Sequence, residues 1–153
     1  MITIRVQGDA IDSAAVLAAI EQPGAGAVAS FAGLVRGDDG VTVLELEHYP
    51  GATEAALDKL AIEATERWSL LAVQIIHRVG RMVPGDRVVV VATAAPHRGA
   101  ALDACAFLID RLKTDAPFWK REERGSDARW VEARGSDHAA ADRWRAAPGS
   151  TRP

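Results

Sequence analysis

Lys113 and Lys120 are the residues of this chain best placed to do chemistry. They bracket the stretch Lys113-Thr114-Asp115-Ala116-Pro117-Phe118-Trp119-Lys120-Arg121-Glu122. An ammonium offers three donors and a point charge, and burial beside a second cation lowers its pKa toward acid–base use. Upstream, Leu102, Cys105, Ala106, Ile109 and Leu112 recur at helical spacing and predict one buried stripe running up to Lys113. Pro117 disfavours the α region at Ala116, so the helix ends there and residues 118–122 read as a short strand. The reversal between helix and strand can aim both amines into one pocket. A plainer role also suits the pattern, with Lys113 favouring the helix C-terminal dipole and Lys120 solvated on its strand.

Two further spots can hold an anion. Pro96-His97-Arg98-Gly99 precedes the same helix, so free backbone N–H groups, His97 and Arg98 can meet a phosphate or carboxylate. Ordinary exposed first-turn residues account for that pattern as well. Arg36 closes an apolar run beside the polar loop Gly37-Asp38-Asp39-Gly40 and has the same use, with the same plain alternative. Cys105, the single cysteine, falls on the apolar stripe and reads as a small core residue, not a nucleophile. His48, His77, His97 and His138 form no H-x-x-x-H pair and have no cysteine partner, so no metal site is expected. A Gly-rich phosphate loop, a nucleophile elbow and a convincing triad are all missing from the sequence.

The elements that must position these residues follow from pattern. Ile2, Ile4 and Val6 alternate as an opening strand, and Asp9 or Asp12 can cap a helix through Ala14, Val16, Leu17 and Ile20. Residues 26–36 form a strand rich in small side chains, in which Gly33 marks a bulge or a close backbone approach. Residues 41–49 alternate as its hairpin partner across a mobile tip. Thr53 caps a helix to Trp68, with Glu54 in its first turn. Residues 72–79 make another strand. Pro84-Gly85-Asp86 then turns the chain into residues 87–95, whose four consecutive valines predict cover on both faces. After the lysine stretch come a strand at residues 128–133, a helix at 136–146 and a frayed tail at 148–153. No repeat or linker appears, so residues 1–147 read as one domain. The hairpin-like pairs favour an α+β mixed sheet over a doubly wound parallel one.

Composition bounds the partners. With 153 residues, 48% hydrophobic and 25% charged, the chain reads as an ordinary soluble domain able to bury roughly 70% of its unfolded surface. A net charge of −3 gives no general pull toward nucleic acid or anionic membrane, so any basic site must be local. The first ten residues carry no secretory pattern and no stretch is long enough to span a bilayer, so a cytoplasmic location is expected.

Taken in order, several stretches resemble one family. They are Phe31-Ala32-Gly33-Leu34-Val35-Arg36, Leu46 to Glu54 around His48-Tyr49-Pro50-Gly51, His77-Arg78-Val79-Gly80, Pro96-His97-Arg98, Lys113 to Glu122, and Arg129-Trp130-Val131-Glu132-Ala133-Arg134. Together they closely resemble the large, catalytic subunit of molybdopterin synthase, over roughly Gly26 to Trp144. The family often has Met where Ala52 stands, and the loop between Arg36 and Val41 is short here; neither departure touches the lysines. The resemblance implies an α/β hammerhead-type mixed sheet with an added β-rich subdomain. It implies that two dithiolene sulfurs are installed on cyclic pyranopterin monophosphate, with no cofactor. The sulfur arrives as a thiocarboxylate on the C-terminal Gly-Gly of a small ubiquitin-like carrier subunit, and a dimer of large subunits sits at the centre of a heterotetramer. Lys113 and Lys120 become the catalytic pair, Lys113 at the thiocarboxylate carbonyl and Lys120 at the pterin. Arg36, His97, Arg98 and Arg134 become the residues that hold substrate. A catalytic cysteine is not needed, because the partner brings the sulfur.

Two other classes compete. Phe118-Trp119 between basic residues could serve as a stacking platform of a nucleic-acid-binding module, against which the acidic net charge and the lack of a basic run both count. A catalytically silent scaffold for a ubiquitin-like partner has no use for both lysines.

Overall fold

A computed structural model describes residues 1–131 and 135–145. In chain order it contains β1 (Ile2–Gln7), α1 (Ser13–Ile20), β2 (Ala27–Leu34), β3 (Val43–His48), α2 (Ala52–Trp68), β4 (Ala72–Arg78) and β5 (Gly80–Met82). These are followed by β6 (Arg87–Ala95), α3 (Arg98–Asp115), β7 (Phe118–Arg124), β8 (Asp127–Val131) and α4 (Gly135–Asp142). The strands form two four-stranded sheets, ordered β1-β4-β6-β2 and β5-β3-β7-β8. In the first, β1 runs parallel to β4 while β4, β6 and β2 pair antiparallel, so the sheet is mixed. The second is antiparallel throughout. The architecture is α+β, with a second β-rich layer, as the sequence led us to expect.

The valine run explains the core. From Val89 to Ala95, β6 is buried on both faces. One face packs with α2 and α3 through Leu57, Leu60, Phe107 and Leu108, the other with Ile11 and with α1 through Val16 and Ile20. Asp12 caps α1, its carboxylate accepting from the Ala15 N–H at 3.1 Å. Phe107 sits in an aromatic cluster with Trp68 and Trp144, and Trp144 Nε1 donates to Asp110 at 2.7 Å. That bond fastens the chain beyond α4 to α3.

Several expectations need correction. Residues 26–36 and 41–49 do not form a hairpin. β2 pairs with β6, whereas β3 lies in the other sheet between β5 and β7. The expected bulge is where the chain departs: the β2–β6 register shifts between Gly33 and Leu34. A Cβ on Gly33 would stand 2.8 Å from a Val89 methyl, so the close approach is real too. Beyond it Val35 donates to the Asp86 carbonyl, and a 3-10 turn at Asp38–Gly40, with Asp39 at φ 57, carries the chain across to the second sheet. Leu102 is 59% exposed rather than part of the buried stripe. The stripe runs one position earlier, through Ala101, Ala104, Cys105, Leu108 and Leu112, and leaves Ala106 and Ile109 at its margin. Thr53 is not the cap of α2; Gly51 is, and Glu54 accepts from the Gly51 N–H. The three-residue strand β5 was not anticipated, being too short to show a period. The expected strand at 128–133 ends, as far as it is described, at Val131, while residues 132–134 and the tail at 148–153 lie outside the described residues.

Candidate functional site

The reversal after α3 is built as its sequence demands. Asp115 is the last helical residue, Ala116 is extended at φ −83 and ψ 125, and β7 starts at Phe118. A buried hydroxyl ties the turn down. Thr53 Oγ1 donates to the Pro117 carbonyl at 2.7 Å and accepts from the Tyr49 N–H at 3.0 Å. One side chain therefore joins the end of β3, the start of α2 and the lysine reversal. Sequence reading missed this role because a threonine in a first helical turn looks like a cap.

Inside the seam between the sheets lies a cavity of about 670 Å³. Lys113, Lys120 and Arg36 all line it, together with His77, Phe118 and Glu122. The period of two along β7 sends Phe118, Lys120, Glu122 and Arg124 to the cavity side. Trp119, Arg121 and Glu123 take the other side, where Arg81 forms a bidentate pair with Glu123 at 3.0 Å and Arg121 reaches Glu45 and Glu123. Phe118 and Trp119 thus lie on opposite faces and make no common stacking platform. Phe118 instead stacks on the His77 ring, with centroids 4.1 Å apart.

Glu122 is the one buried carboxylate among the described residues that line this cavity. Its two oxygens take Lys120 Nζ at 3.4 Å and Arg124 at 2.8 Å. Arg36 is exposed at the mouth, 3.6 Å from Asp38. His97 and Arg98 are not brought to this cavity. They begin α3 while Lys113 is near its end, about 22 Å along the axis at 1.5 Å per residue. Arg134 lies outside the described residues, although Val131, three positions before it, lines the cavity.

His77 is the residue that sequence patterns offered least reason to single out. It is 5% exposed, and its Nδ1 is 2.9 Å from the Arg78 carbonyl, an acceptor, so Nδ1 carries the proton. Burial first, then the charges of Lys113 and His48, push its pKa down to about 4. The stability consequence has a definite sign. Above pH 6.5 the ring is neutral in both states; between 6.5 and about 4 the unfolded chain binds a proton that the folded one refuses, so stability falls with pH. The loss approaches about 3 kcal/mol, since each tenfold difference in proton affinity is worth about 1.4 kcal/mol. Urea unfolding across this window should therefore fall less steeply with pH in His77→Phe than in the wild type. Parallel curves would show that another group carries the dependence.

Cys105 is 6% exposed, its Sγ 3.9 Å from the Val91 carbonyl, and burial pushes its thiol up to about 11. A thiol so protonated is a poor nucleophile. Cys105→Ala should keep its turnover and lose about 1 kcal/mol of stability. Loss of activity in a folded variant would return the cysteine to the chemistry. Among the described residues no cluster of three or more His, Cys, Asp or Glu side chains could hold a metal, and no helix is long and apolar enough to cross a membrane.

Fold and site together define a class: an α+β protein with a cavity between its two sheets, lined by apolar side chains and by the cations Arg36, Lys113, Lys120 and Arg124, suited to an anionic small molecule and with no cysteine among the described residues that line it. The family model for the MoaE protein matches residues 6–115, and the chain belongs to that family. The molybdopterin synthase catalytic subunit of Pseudomonas aeruginosa is 53% identical over 146 residues, which are 92% of this chain and 97% of that protein. The structure of the molybdopterin biosynthesis MoaE protein from Burkholderia ambifaria superposes with a TM-score of 0.82 at 53% identity, covering 94% of this chain and 98% of that one. Molybdopterin synthase from Staphylococcus aureus gives a TM-score of 0.80 at 30% identity, covering 84% and 96%.

Proposed function

We propose that this chain is the catalytic subunit of a molybdopterin synthase. It transfers sulfur from the thiocarboxylated C-terminus of a small ubiquitin-like carrier subunit to cyclic pyranopterin monophosphate, forming the dithiolene of molybdopterin. The observation that carries the reading is that Lys113 and Lys120, from two different elements, line one cavity with Arg36 and no cysteine. Relatives of that name, similar over nearly their whole length, agree with it.

The chemistry asks for what this cavity holds. A thiocarboxylate sulfur attacks a pterin carbon and forms a C–S bond while the C–O bond at that carbon breaks, its oxygen taking up a proton as it leaves; water then cleaves the acyl C–S bond, so the sulfur stays on the pterin and the carrier leaves as its carboxylate. Each carrier delivers one sulfur, so two are consumed per dithiolene. Lys113 is assigned to the thiocarboxylate carbonyl, where an ammonium stabilises the oxyanion of the tetrahedral intermediate. Lys120 is assigned to the pterin, where it moves protons to and from the oxygen being replaced. Arg36 at the mouth suits the phosphate. With α3 separating them from Lys113, His97 and Arg98 can serve the same substrate only from a second copy, within the dimer of large subunits that belongs to this reading. The reading also includes a cytoplasmic location, a reducing compartment in which Cys105 stays a thiol.

Reconstitution tests it. The protein, a thiocarboxylated carrier and cyclic pyranopterin monophosphate should yield dithiolene product, with two carriers consumed per pterin. A mixture that binds carrier but forms no product would leave a scaffold in place of an enzyme.

A further inference from the structure

We propose that His77 is a specificity-determining residue of this cavity, its Nε2 accepting a hydrogen bond from a ring N–H of the pterin. The inference rests on the functional reading above and deepens it. The starting observation is an imbalance of donors and acceptors. Arg36, Lys113, Lys120 and Arg124 bring only donors to the wall. The carboxylates among the lining residues are Asp38, Asp39 and Glu122. Asp38 faces Arg36, Asp39 belongs to an exposed turn at the mouth, and Glu122 has an oxygen on each of Lys120 and Arg124. A pterin is a flat heterocycle with amide-like and amino N–H groups along one edge. Such an edge needs a neutral or anionic acceptor, and the inner wall supplies one in His77.

The ring is held for that task. Its Nδ1–H is committed to the Arg78 carbonyl, which fixes the tautomer and leaves Nε2 with the lone pair. Phe118 lies against its face at an interplanar angle of 26°, so the imidazole is fixed in orientation as well as in tautomer. Burial, and then the nearby Lys113 ammonium, oppose protonation, and a protonated ring would have offered a second donor instead of an acceptor. A cavity that accepts a hydrogen bond from its substrate rejects an analogue without that donor far more strongly than an apolar wall can, because the polar groups are left unpaired.

The test measures binding with the carrier in its carboxylate form, which cannot transfer sulfur. Calorimetric titration with cyclic pyranopterin monophosphate should give a dissociation constant at least about tenfold weaker in His77→Phe, a size set by the loss of one buried hydrogen bond. Carrier affinity should be unchanged, and His77→Gln, whose side-chain carbonyl restores an acceptor, should recover most of the loss. Equal loss in the phenylalanine and glutamine variants, or none in phenylalanine, overturns the assignment. A second arm needs no substitution: an analogue methylated at the ring N–H should bind the wild-type protein about tenfold or more weakly than the parent. Equal binding of the two ligands overturns the proposal even where His77→Phe does not fold. Should the wild-type protein fail to bind the parent pterin at all, the functional reading falls; should it bind parent and methylated pterin alike, only the role of His77 falls.

Discussion

Lys113→Ala and Lys120→Ala should each lower the single-turnover rate of sulfur transfer by about 10²- to 10⁴-fold, the range over which a positioned acid–base group acts. Neither change should disturb the fold. Lys120 is partly exposed on β7, whose backbone stays paired with β3 and β8 whatever its side chain. Lys113 stands in the last turn of α3, whose buried Leu108 and Leu112 belong to the main core. Surface-type truncations of this kind usually change stability by no more than about 0.5 kcal/mol. Lysine-to-arginine variants separate charge from proton transfer. A guanidinium keeps the charge but does not give up its proton near neutral pH. If Lys120 moves protons, Lys120→Arg should be nearly as slow as Lys120→Ala. If Lys113 acts by charge alone, Lys113→Arg should retain part of its rate. Turnover near that of the wild type in either alanine variant would remove that lysine from the mechanism.

What the sequence disclosed and what it concealed divide along physical lines. The chemistry was legible where one residue enforces a local geometry. Pro117 ends α3, the period of two on β7 sets the direction of Lys120, and the valine run marks a strand buried on both sides. Pairing partners were less legible. An alternating run such as residues 43–48 states that one face is buried but not against which strand, and β3 lies in a different sheet from β2, the strand before it in the chain. The roles of Thr53, His77 and Glu122 were concealed for a common reason. Each depends on a partner distant in sequence or on enclosure by several elements: the Pro117 carbonyl for Thr53, the cavity wall for His77, a pair of cations within a buried seam for Glu122. The motif that contains His77-Arg78-Val79-Gly80 marked the position as characteristic of the family, yet nothing in its spacing indicated a neutral ring lining the same cavity as the two lysines. Likewise, His97 and Arg98 looked like neighbours of the lysines because one helix links them, whereas the length of that helix is what keeps them apart.

Glu122→Gln should slow sulfur transfer about tenfold or more while leaving the pterin phosphate contacts in place. The carboxylate is the buried counter-charge to Lys120 and Arg124, 3.4 and 2.8 Å away, and the other two lining carboxylates, Asp38 and Asp39, are exposed. Glutamine keeps the shape and one acceptor oxygen but removes the charge. The lysine then loses the anion that holds its ammonium against the strand, and two cations on the same face of β7 repel each other. Breaking a fully buried pair costs about 3–5 kcal/mol. Here both cations reach solvent, with side-chain exposures of 37% and 29%. Screening reduces the cost, and a stability loss of about 1–2 kcal/mol in urea unfolding is expected. The kinetic effect should be larger than that loss alone accounts for, because the folded fraction stays near unity. A double-mutant cycle assigns it: if Glu122 acts by placing the Lys120 amine, Glu122→Gln should cost nothing further once Lys120 is alanine. Full additivity of the two rate losses would mean that Glu122 serves the reaction independently of the lysine. An unchanged rate in Glu122→Gln would mean that β7 alone, with its backbone pairing to β3, is enough to aim Lys120 into the cavity.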